Sequence, residues 1–226
     1  DLDAECFAEV LHHLRLAQLT GQSEIQWGKV SPPERREVYF RLMLDFLGLA
    51  KLPAFTPTFA FVHPGISKNE GDSCVVSCSE GHRWAIGETV MEAGTYMWGF
   101  KIHSLKSNYW IFLGVIASSR PADESFSDPT SWGWACSTKG CCFMRGQSGV
   151  RQSPAAGCGG WTGFEEGDDV TMQLNADSGV LRMKVARLQH TVFHFTGLAV
   201  TGLMHAPPWR IHVNLYNVGD RVELIS

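Results

Sequence analysis

Two histidines have the spacing of a metal site. His190 and His194 lie four residues apart, and on a strand such residues point to the same face, as two zinc ligands would. The stretch lacks the glutamate of an HExxH helix, and Val192 lies between the two rings. We therefore interpret both as hydrogen-bonded or solvent-facing histidines. No CxxC pair occurs in the chain, so we expect no metal.

Nucleophiles and anion loops are the next candidates. Ser148, in Gly146-Gln-Ser-Gly149, lacks the complete G-x-S-x-G pattern and the strand-to-helix context of a nucleophilic serine. The glycine-rich stretch 157–163 is followed by neither Gly-Lys-Ser/Thr nor a helical pattern, so a flexible loop is a better interpretation than a phosphate site. A cysteine enzyme using Cys158 or Cys142 would need a base that the sequence does not place.

Acidic pairs are also present, at Glu165-Glu166 and Asp168-Asp169. Adjacent carboxylates of this kind are typical of a solvated turn rather than of general acid and base catalysis. The sequence thus predicts neither an enzyme nor a cofactor.

Two tryptophans in the stretch DPTSWGWACSTKG pose a question of orientation. Trp132 and Trp134 are two positions apart, so on a strand they point to the same face. We expect Trp134 to belong to the core. Trp132 is nearer the Asp-Pro turn, and both a core position and a position at the rim of the sheet are open to it.

Composition excludes several classes of function. The 226 residues carry a net charge of −4 with scattered lysines and arginines, which argues against binding DNA or RNA. No apolar run approaches the roughly 18 residues of a membrane span. Seven cysteines, an odd number, indicate free thiols in a reducing compartment, so we expect a cytoplasmic protein. The first residue is Asp1, so the chain is processed, trimmed or a piece of something longer.

The first part of the chain has a helical period. Phe7, Val10, Leu11 and Leu14 recur at i, i+3, i+4 and i+7, which predicts a helix from Asp3 to about Leu16. A second helix is predicted from Ser31-Pro-Pro-Glu34, which supplies an N-cap, a proline at N1 and a capping box, to Gly48.

The period changes from 3.6 to 2 after the proline-containing connector 51–57, which predicts a helical domain at residues 1–53 and a β domain at 54–226. Hairpin-turn residues occur at Asn175–Gly179 and at Asn217–Asp220. We predict a mainly β fold, an antiparallel β-sandwich, with a small N-terminal helical region. The alternating residues are Tyr96, Trp98, Phe100 and Ile102; Val170, Met172 and Leu174; Leu181, Met183 and Val185; and Trp209, Ile211, Val213 and Leu215.

Residues 59–226 resemble the SPRY domain family. The segment Gly94–Ile102 is similar to the family's G-x-Y-Y-W-E strand, and Trp110–Ile116 to its W-x-x-G-V strand. Ser131–Trp134 matches the SWGW of some branches, and Phe164–Val170 matches F-x-x-G-D-x-V. Gly99 stands where the family usually has glutamate.

The first residues resemble another family. Asp1–Arg15 is similar to the D-R-D-x-x-x-F-x-x-I-L-x-x-L-R helix of BTB domains of the potassium-channel tetramerisation type, and Glu34–Leu49 to the last helix of such domains. This resemblance implies that the strand-rich half of the domain precedes Asp1.

Binding is the function that remains. A sandwich holds recognition residues on loops at one end, and the SPRY resemblance implies a peptide or protein partner there. The candidate partner-binding residues are Trp132, Phe126, Arg120, Tyr109 and Trp161, with Trp209 as a further loop aromatic. The BTB resemblance implies homo-oligomerisation or recruitment of a cullin-type ubiquitin ligase. A structural subunit of a large assembly is the alternative hypothesis.

Overall fold

The structure is a computed structural model of the 226-residue chain. It describes residues 4–20, 57–69, 71–106, 110–136, 141–148, 159–188, 191–198 and 208–225. The chain divides into two units, Asp1–Ala54 and Phe55–Ser226.

The first unit contains the predicted amphipathic helix. Helix α1 spans Ala4–Thr20, with Val10 buried and with Phe7 and Leu14 each 37% exposed. The predicted helix over residues 31–48 lies outside the described residues, so the BTB-like assignment of residues 1–53 stays a prediction. In the described part of the chain no helix is both long and apolar enough to cross a membrane.

The second unit is a sandwich of two seven-stranded sheets within the described residues, and adjacent strands in both sheets are antiparallel. The strands in chain order are β1 Phe59–Val62, β2 Ile66–Lys68, β3 Cys74–Ser77, β4 Arg83–Gly87, β5 Thr95–Ser104, β6 Ile111–Ile116, β7 Trp132–Ala135, β8 Cys141–Met144, β9 Gln147–Ser148, β10 Asp169–Asn175, β11 Val180–Val185, β12 Val192–Thr196, β13 Arg210–Leu215 and β14 Arg221–Ile225. Sheet A has the order β1-β4-β13-β6-β7-β8-β9, and sheet B has the order β12-β11-β10-β5-β14-β3-β2.

The predicted alternation forms the core between the sheets. Trp98 pairs with Met172 and Phe100 with Val170 across β5 and β10, and all four side chains are buried. Each buried side chain of this size contributes about 1.5–3 kcal/mol relative to an exposed one. The mainly β, sandwich prediction is therefore confirmed.

Sheet A is covered on both faces. Every residue of β6 is buried, because Ile111, Leu113 and Val115 face the main core while Phe112 and Ile116 belong to separate clusters. Gly114 lets β6 and β7 pack closely, since a Cβ at this position would lie 2.0 Å from the Trp132 carbonyl oxygen. The outer face of sheet A is therefore a second apolar surface.

One of the two predicted hairpin turns is confirmed and the other is wrong. Asn175–Gly179 joins β10 to its partner β11. The turn over residues 217–220 instead passes from β13 in sheet A to β14 in sheet B. The buried Asp220 carboxylate holds this crossing by accepting hydrogen bonds from the backbone amides of Lys106 at 2.8 Å and Asn217 at 2.8 Å. Turn residues mark a change of direction, but they do not specify which sheet follows.

Candidate functional site

The segment between β6 and β7, residues 117–131, lies against the outer face of sheet A. Asp123 anchors this segment, because its carboxylate lies 3.2 Å from His63 Nε2 and 3.7 Å from Arg83 Nη1. His63 Nδ1 accepts a hydrogen bond from the Gly65 amide at 2.9 Å. Nε2 of His63 therefore carries the proton and donates it toward Asp123.

Ser125 fixes the same segment from beneath. It begins a 3-10 turn, Ser125–Ser127, and is fully buried. Its Oγ lies 2.7 Å from His212 Nε2 and accepts a hydrogen bond from Asn214 Nδ2 at 2.8 Å. The other ring nitrogen of His212 lies 3.3 Å from Ser131 Oγ. The hydroxyls of Ser125 and Ser131 thus tie the segment to the interior strand β13.

A group of aromatic rings meets beside this segment, and we call it the ring cluster: His82, Trp110, Phe126, Phe143 and Tyr216. The centroid of the His82 ring lies 5.1 Å from that of Trp110, 4.7 Å from that of Phe126 and 4.8 Å from that of Tyr216. Phe126 also lies 5.1 Å from Phe143. All of these pairs are edge-to-face, which is a favoured geometry for aromatic rings. Phe143 is buried and the other rings are half-buried, so the cluster has an exposed side.

Strand order explains why these rings meet. Strand β13 lies between β4 and β6, and Leu215 pairs with Arg83 on one side and with Ile111 on the other. His82, Tyr216 and Trp110 are the next residues beyond this paired row. They therefore lie side by side just beyond the ends of strands β4, β13 and β6 in sheet A, although they are distant in sequence.

Asn214 orients two of the rings. Its Nδ2 donates a hydrogen bond to the backbone carbonyl oxygen of Asp123 at 2.9 Å, and a carbonyl oxygen can only accept. Its Oδ1 accepts a hydrogen bond from Trp110 Nε1 at 3.0 Å, and an indole N–H can only donate. The amide therefore has one consistent orientation. His82 Nδ1 lies 3.0 Å from the same Oδ1, so it must donate. The second ring nitrogen of His82, Nε2, is thereby left as an acceptor.

Burial favours the neutral forms of His82 and His212. Desolvation lowers the pKa of the half-buried His82, against smaller opposing contributions from its bond to Asn214 and from the charge of Glu124. Complete burial lowers the pKa of His212 to about 3. Both rings are thus uncharged near pH 7.

The structure answers the question of the paired tryptophans. Trp132 and Trp134 both point into the main core, at 5% and 0% exposure. Trp134 stacks on Phe195 with a centroid distance of 4.3 Å, and Trp132 meets the same ring edge-on at 5.8 Å. Trp132 therefore does not reach the rim. The physical reason is that β7 is paired on both sides, with β6 and β8, and its inward face is filled.

The other predicted site residues have different positions. Trp161 is 5% exposed, packs on Phe164 and Phe193, and donates from Nε1 to the Ala135 carbonyl at 2.9 Å, so it is a core residue. Trp209, at 1% exposure, is also in the core. Phe126 belongs to the ring cluster. Arg120 is exposed in the same segment, and Tyr109 lies outside the described residues.

The prediction that the cysteines are free thiols is wrong for the disulfide that includes Cys142. Cys142 is disulfide-bonded, whereas Cys74, Cys78 and Cys136 are free thiols. Seven cysteines leave one unpaired after any pairing, so the odd number could not exclude a disulfide. Burial raises the pKa of Cys136 to about 12.

Ser125 and His212 have the spacing of a nucleophile and its base, but they are both completely buried. The second nitrogen of His212 faces a serine hydroxyl rather than a carboxylate, and a substrate has no access to the pair. The pair is therefore structural. Among the described residues no group of three or more His, Cys, Asp and Glu side chains could hold a metal ion, and His194 of the considered histidine pair is exposed on β12.

Sequence reasoning missed His82, Asn214 and Tyr216. A signal was present for Tyr216, which directly follows the apolar alternation of β13, where strand-end residues enter loops. Trp110 is part of the family resemblance but is not among the predicted site residues. Nothing local in the sequence marks His82 or Asn214.

Comparison with solved structures identifies the type of sandwich. The SPRY domain of human HERC1 is similar to this chain with a TM-score of 0.55 and 16% identity, over 73% of this chain and 97% of that one. The PSpry domain of TRIM65 is similar with a TM-score of 0.56 and 17% identity, over 76% and 93%. No protein-family model and no curated protein matches the chain. At these identities the likeness shows the fold, so the predicted SPRY-type sandwich is confirmed.

Proposed function

We propose that this chain is a non-enzymatic protein-interaction module that binds a peptide segment of a partner on the ring cluster. The observation that carries the proposal is the ring cluster itself, whose half-buried rings are fixed by the hydrogen bonds of Asn214 and by the anchored segment 117–131. Aromatic rings held in this way offer a large contact area with little loss of side-chain entropy on binding.

The similarity to SPRY domains of HERC1 and TRIM65 supports a sandwich of a type that occurs within larger proteins. Of the residues first predicted to bind a partner, Phe126 and Arg120 remain candidates, because both lie on the segment beside the ring cluster. Trp132 and Trp161 are core residues. Tyr109 stays a sequence-based candidate.

A receptor is favoured over a fixed subunit of an assembly by the distribution of exposed apolar side chains. In the described part of the sandwich, Met97 on β5 and Ile225 on β14 lie on neighbouring strands, while Val90, Val192 on β12 and Val218 in the β13–β14 turn lie on other elements. A permanent assembly surface would be a broad contiguous patch.

Residues 1–53 would oligomerise the protein or recruit a cullin-type ubiquitin ligase, which would make the sandwich a substrate receptor. This part of the proposal rests on the resemblance of their sequence to BTB domains. Light scattering of the purified chain and pull-down with a purified cullin would test it: a monomer that retains no cullin would remove this part and leave the peptide-binding proposal intact.

A displayed library of random peptides tests the binding site. The chain is immobilised, peptides are selected, and each selected peptide is measured against Tyr216→Ala and against Met97→Ala, a matched removal of an exposed apolar side chain on sheet B. We expect Tyr216→Ala, with its fold checked by thermal melting, to weaken binding by at least about ten-fold, as hot-spot residues do. Equal binding to both variants, or no selected peptide, would overturn the proposal.

A further inference from the structure

We infer that the peptide bound on the ring cluster presents an arginine side chain to His82 and Glu124. This inference rests on the proposed function and specifies the chemistry of its ligand. It depends on a hydrogen-bond acceptor, on unpaired negative charge and on aromatic faces, all in one place.

The acceptor is His82 Nε2. The single ring proton of neutral His82 is on Nδ1, which donates a hydrogen bond to Asn214 Oδ1. Within the described part of the chain, Nε2 has no hydrogen-bond partner, and it is not among the buried polar atoms that lack one, so solvent reaches it. A ligand group that meets this nitrogen must therefore donate a hydrogen bond.

The unpaired charge around His82 is negative. Glu124 and Asp123 are the carboxylates that act on the His82 ring, and Arg83 is the cation that does so. Glu124 is exposed, as is Glu80 two positions before His82, and neither carboxylate forms an ion pair or a hydrogen bond with a described residue. Asp123 and Arg83 largely offset each other, so the unpaired carboxylates leave a negative field at the ring cluster.

The neighbouring cation is not available to an anionic ligand. Arg83 donates from Nε to Ser79 Oγ at 3.0 Å, from Nη1 to the His82 carbonyl at 2.7 Å and from Nη2 to the Glu80 carbonyl at 2.9 Å. Its guanidinium is thus used within the protein. At His82 itself, an acidic or phosphorylated peptide would find the unpaired Glu124 and a neutral histidine, since Arg83 is the cation that acts on this ring.

Arginine fits these features better than lysine does. Its guanidinium is planar, stacks on aromatic faces such as those of Trp110 and Tyr216, and presents several N–H donors at once. A guanidinium that donates to His82 Nε2 would also feel the charge of Glu124, which acts on the same ring. A lysine ammonium would use the charge but would not stack.

The test titrates blocked tripeptides, acetyl-Ala-X-Ala-amide, into the full chain labelled with 15N and follows the indole N–H signal of Trp110. X is arginine, citrulline, lysine or glutamate. We expect a saturable shift with arginine, binding at least about three-fold weaker with citrulline, and no shift with glutamate. Citrulline keeps the shape of arginine but lacks the charge, so equal affinities of the two peptides would overturn the inference.

Charge-removing variants locate the contact. Glu124→Gln should weaken binding of the arginine tripeptide about two- to five-fold, the range expected for an exposed ion pair, and should not change binding of the citrulline tripeptide. Glu92→Gln is the matched control, because Glu92 is exposed and follows the far end of β4 from His82. An unchanged arginine affinity in Glu124→Gln would contradict the inference.

The outcomes separate this inference from the proposed function. If the displayed library yields peptides that need Tyr216 but contain no arginine, and the arginine tripeptide gives no saturable shift, the peptide-binding function stands and the arginine inference falls. If no peptide depends on Tyr216 and no tripeptide shifts Trp110, both fall.

Discussion

The side-chain oxygen of Asn214 lies 3.0 Å from the indole nitrogen of Trp110, and this bond joins a buried strand residue to a half-buried ring. The same oxygen accepts from His82, and the amide nitrogen holds Asp123 and Ser125 of the segment 117–131. One side chain on β13 therefore positions both the rings and the segment beside them. It therefore connects sheet A to the surface on which we propose that a peptide binds.

Replacing Asn214 by leucine should disrupt both stability and binding. The change leaves Trp110 Nε1, His82 Nδ1 and the Asp123 carbonyl without their partner, and each buried polar group left unpaired costs about 1–3 kcal/mol. We expect the free energy of unfolding, measured in urea, to fall by about 2–4 kcal/mol. The signal of the Trp110 indole N–H should also move. Tyr216→Phe is the control, since it keeps the ring; a leucine variant as stable as this control would show that the amide does not organise the site.

The buried His212 should make stability depend on pH. Its pKa is about 3 in the folded protein, below the usual value of 6.5, so between these values the unfolded chain binds a proton that the folded chain does not. Stability should therefore fall as pH is lowered through this window, by up to about 1.4 kcal/mol per pH unit. Urea unfolding at pH 7, 6 and 5 would measure this. His212→Gln cannot titrate, and a pH profile parallel to that of the natural protein would contradict the assignment.

Trp132 should act on stability rather than directly on binding. Its side chain is 5% exposed and packs against Phe195, so truncation to alanine leaves a large cavity. The expected loss is about 3–5 kcal/mol in the free energy of unfolding. Tyr216→Ala removes a half-buried ring and should cost less, while it weakens peptide binding more. The prediction fails if Trp132→Ala folds with nearly natural stability and loses binding.

Glycine should be required at position 99 for full stability, because the side chain of Ile225 occupies the space beside it. A Cβ at position 99 would lie 2.5 Å from Ile225 Cγ1, across the pair of strands β5 and β14. Gly99→Ala should destabilise the protein by about 1–3 kcal/mol, the usual cost of overpacking. The double variant with Ile225→Ala should recover part of this loss, because the clashing side chain is gone. Additive losses in thermal or urea unfolding would show that the two positions do not interact.

Residue spacing in the sequence is sufficient to predict several of the helices and strands. The 3.6-residue period predicted α1, and the two-residue period predicted β5, β10, β11 and β13 with the hairpin between β10 and β11. These features depend on which side of one element each residue occupies, and that follows from spacing alone. The order of strand motifs also pointed to the SPRY-type sandwich.

The way in which these elements meet depends on the pairing and order of the strands. Spacing could show that Trp132 and Trp134 share a face, but only the pairing of β7 with β6 and β8 turned both inward. It could mark a turn at residues 217–220, but not that the chain changes sheets there. The ring cluster arises because β13 lies between β4 and β6, which brings His82, Trp110 and Tyr216 to one edge. Contacts between residues so distant in sequence depend on strand order, which local periodicity does not encode.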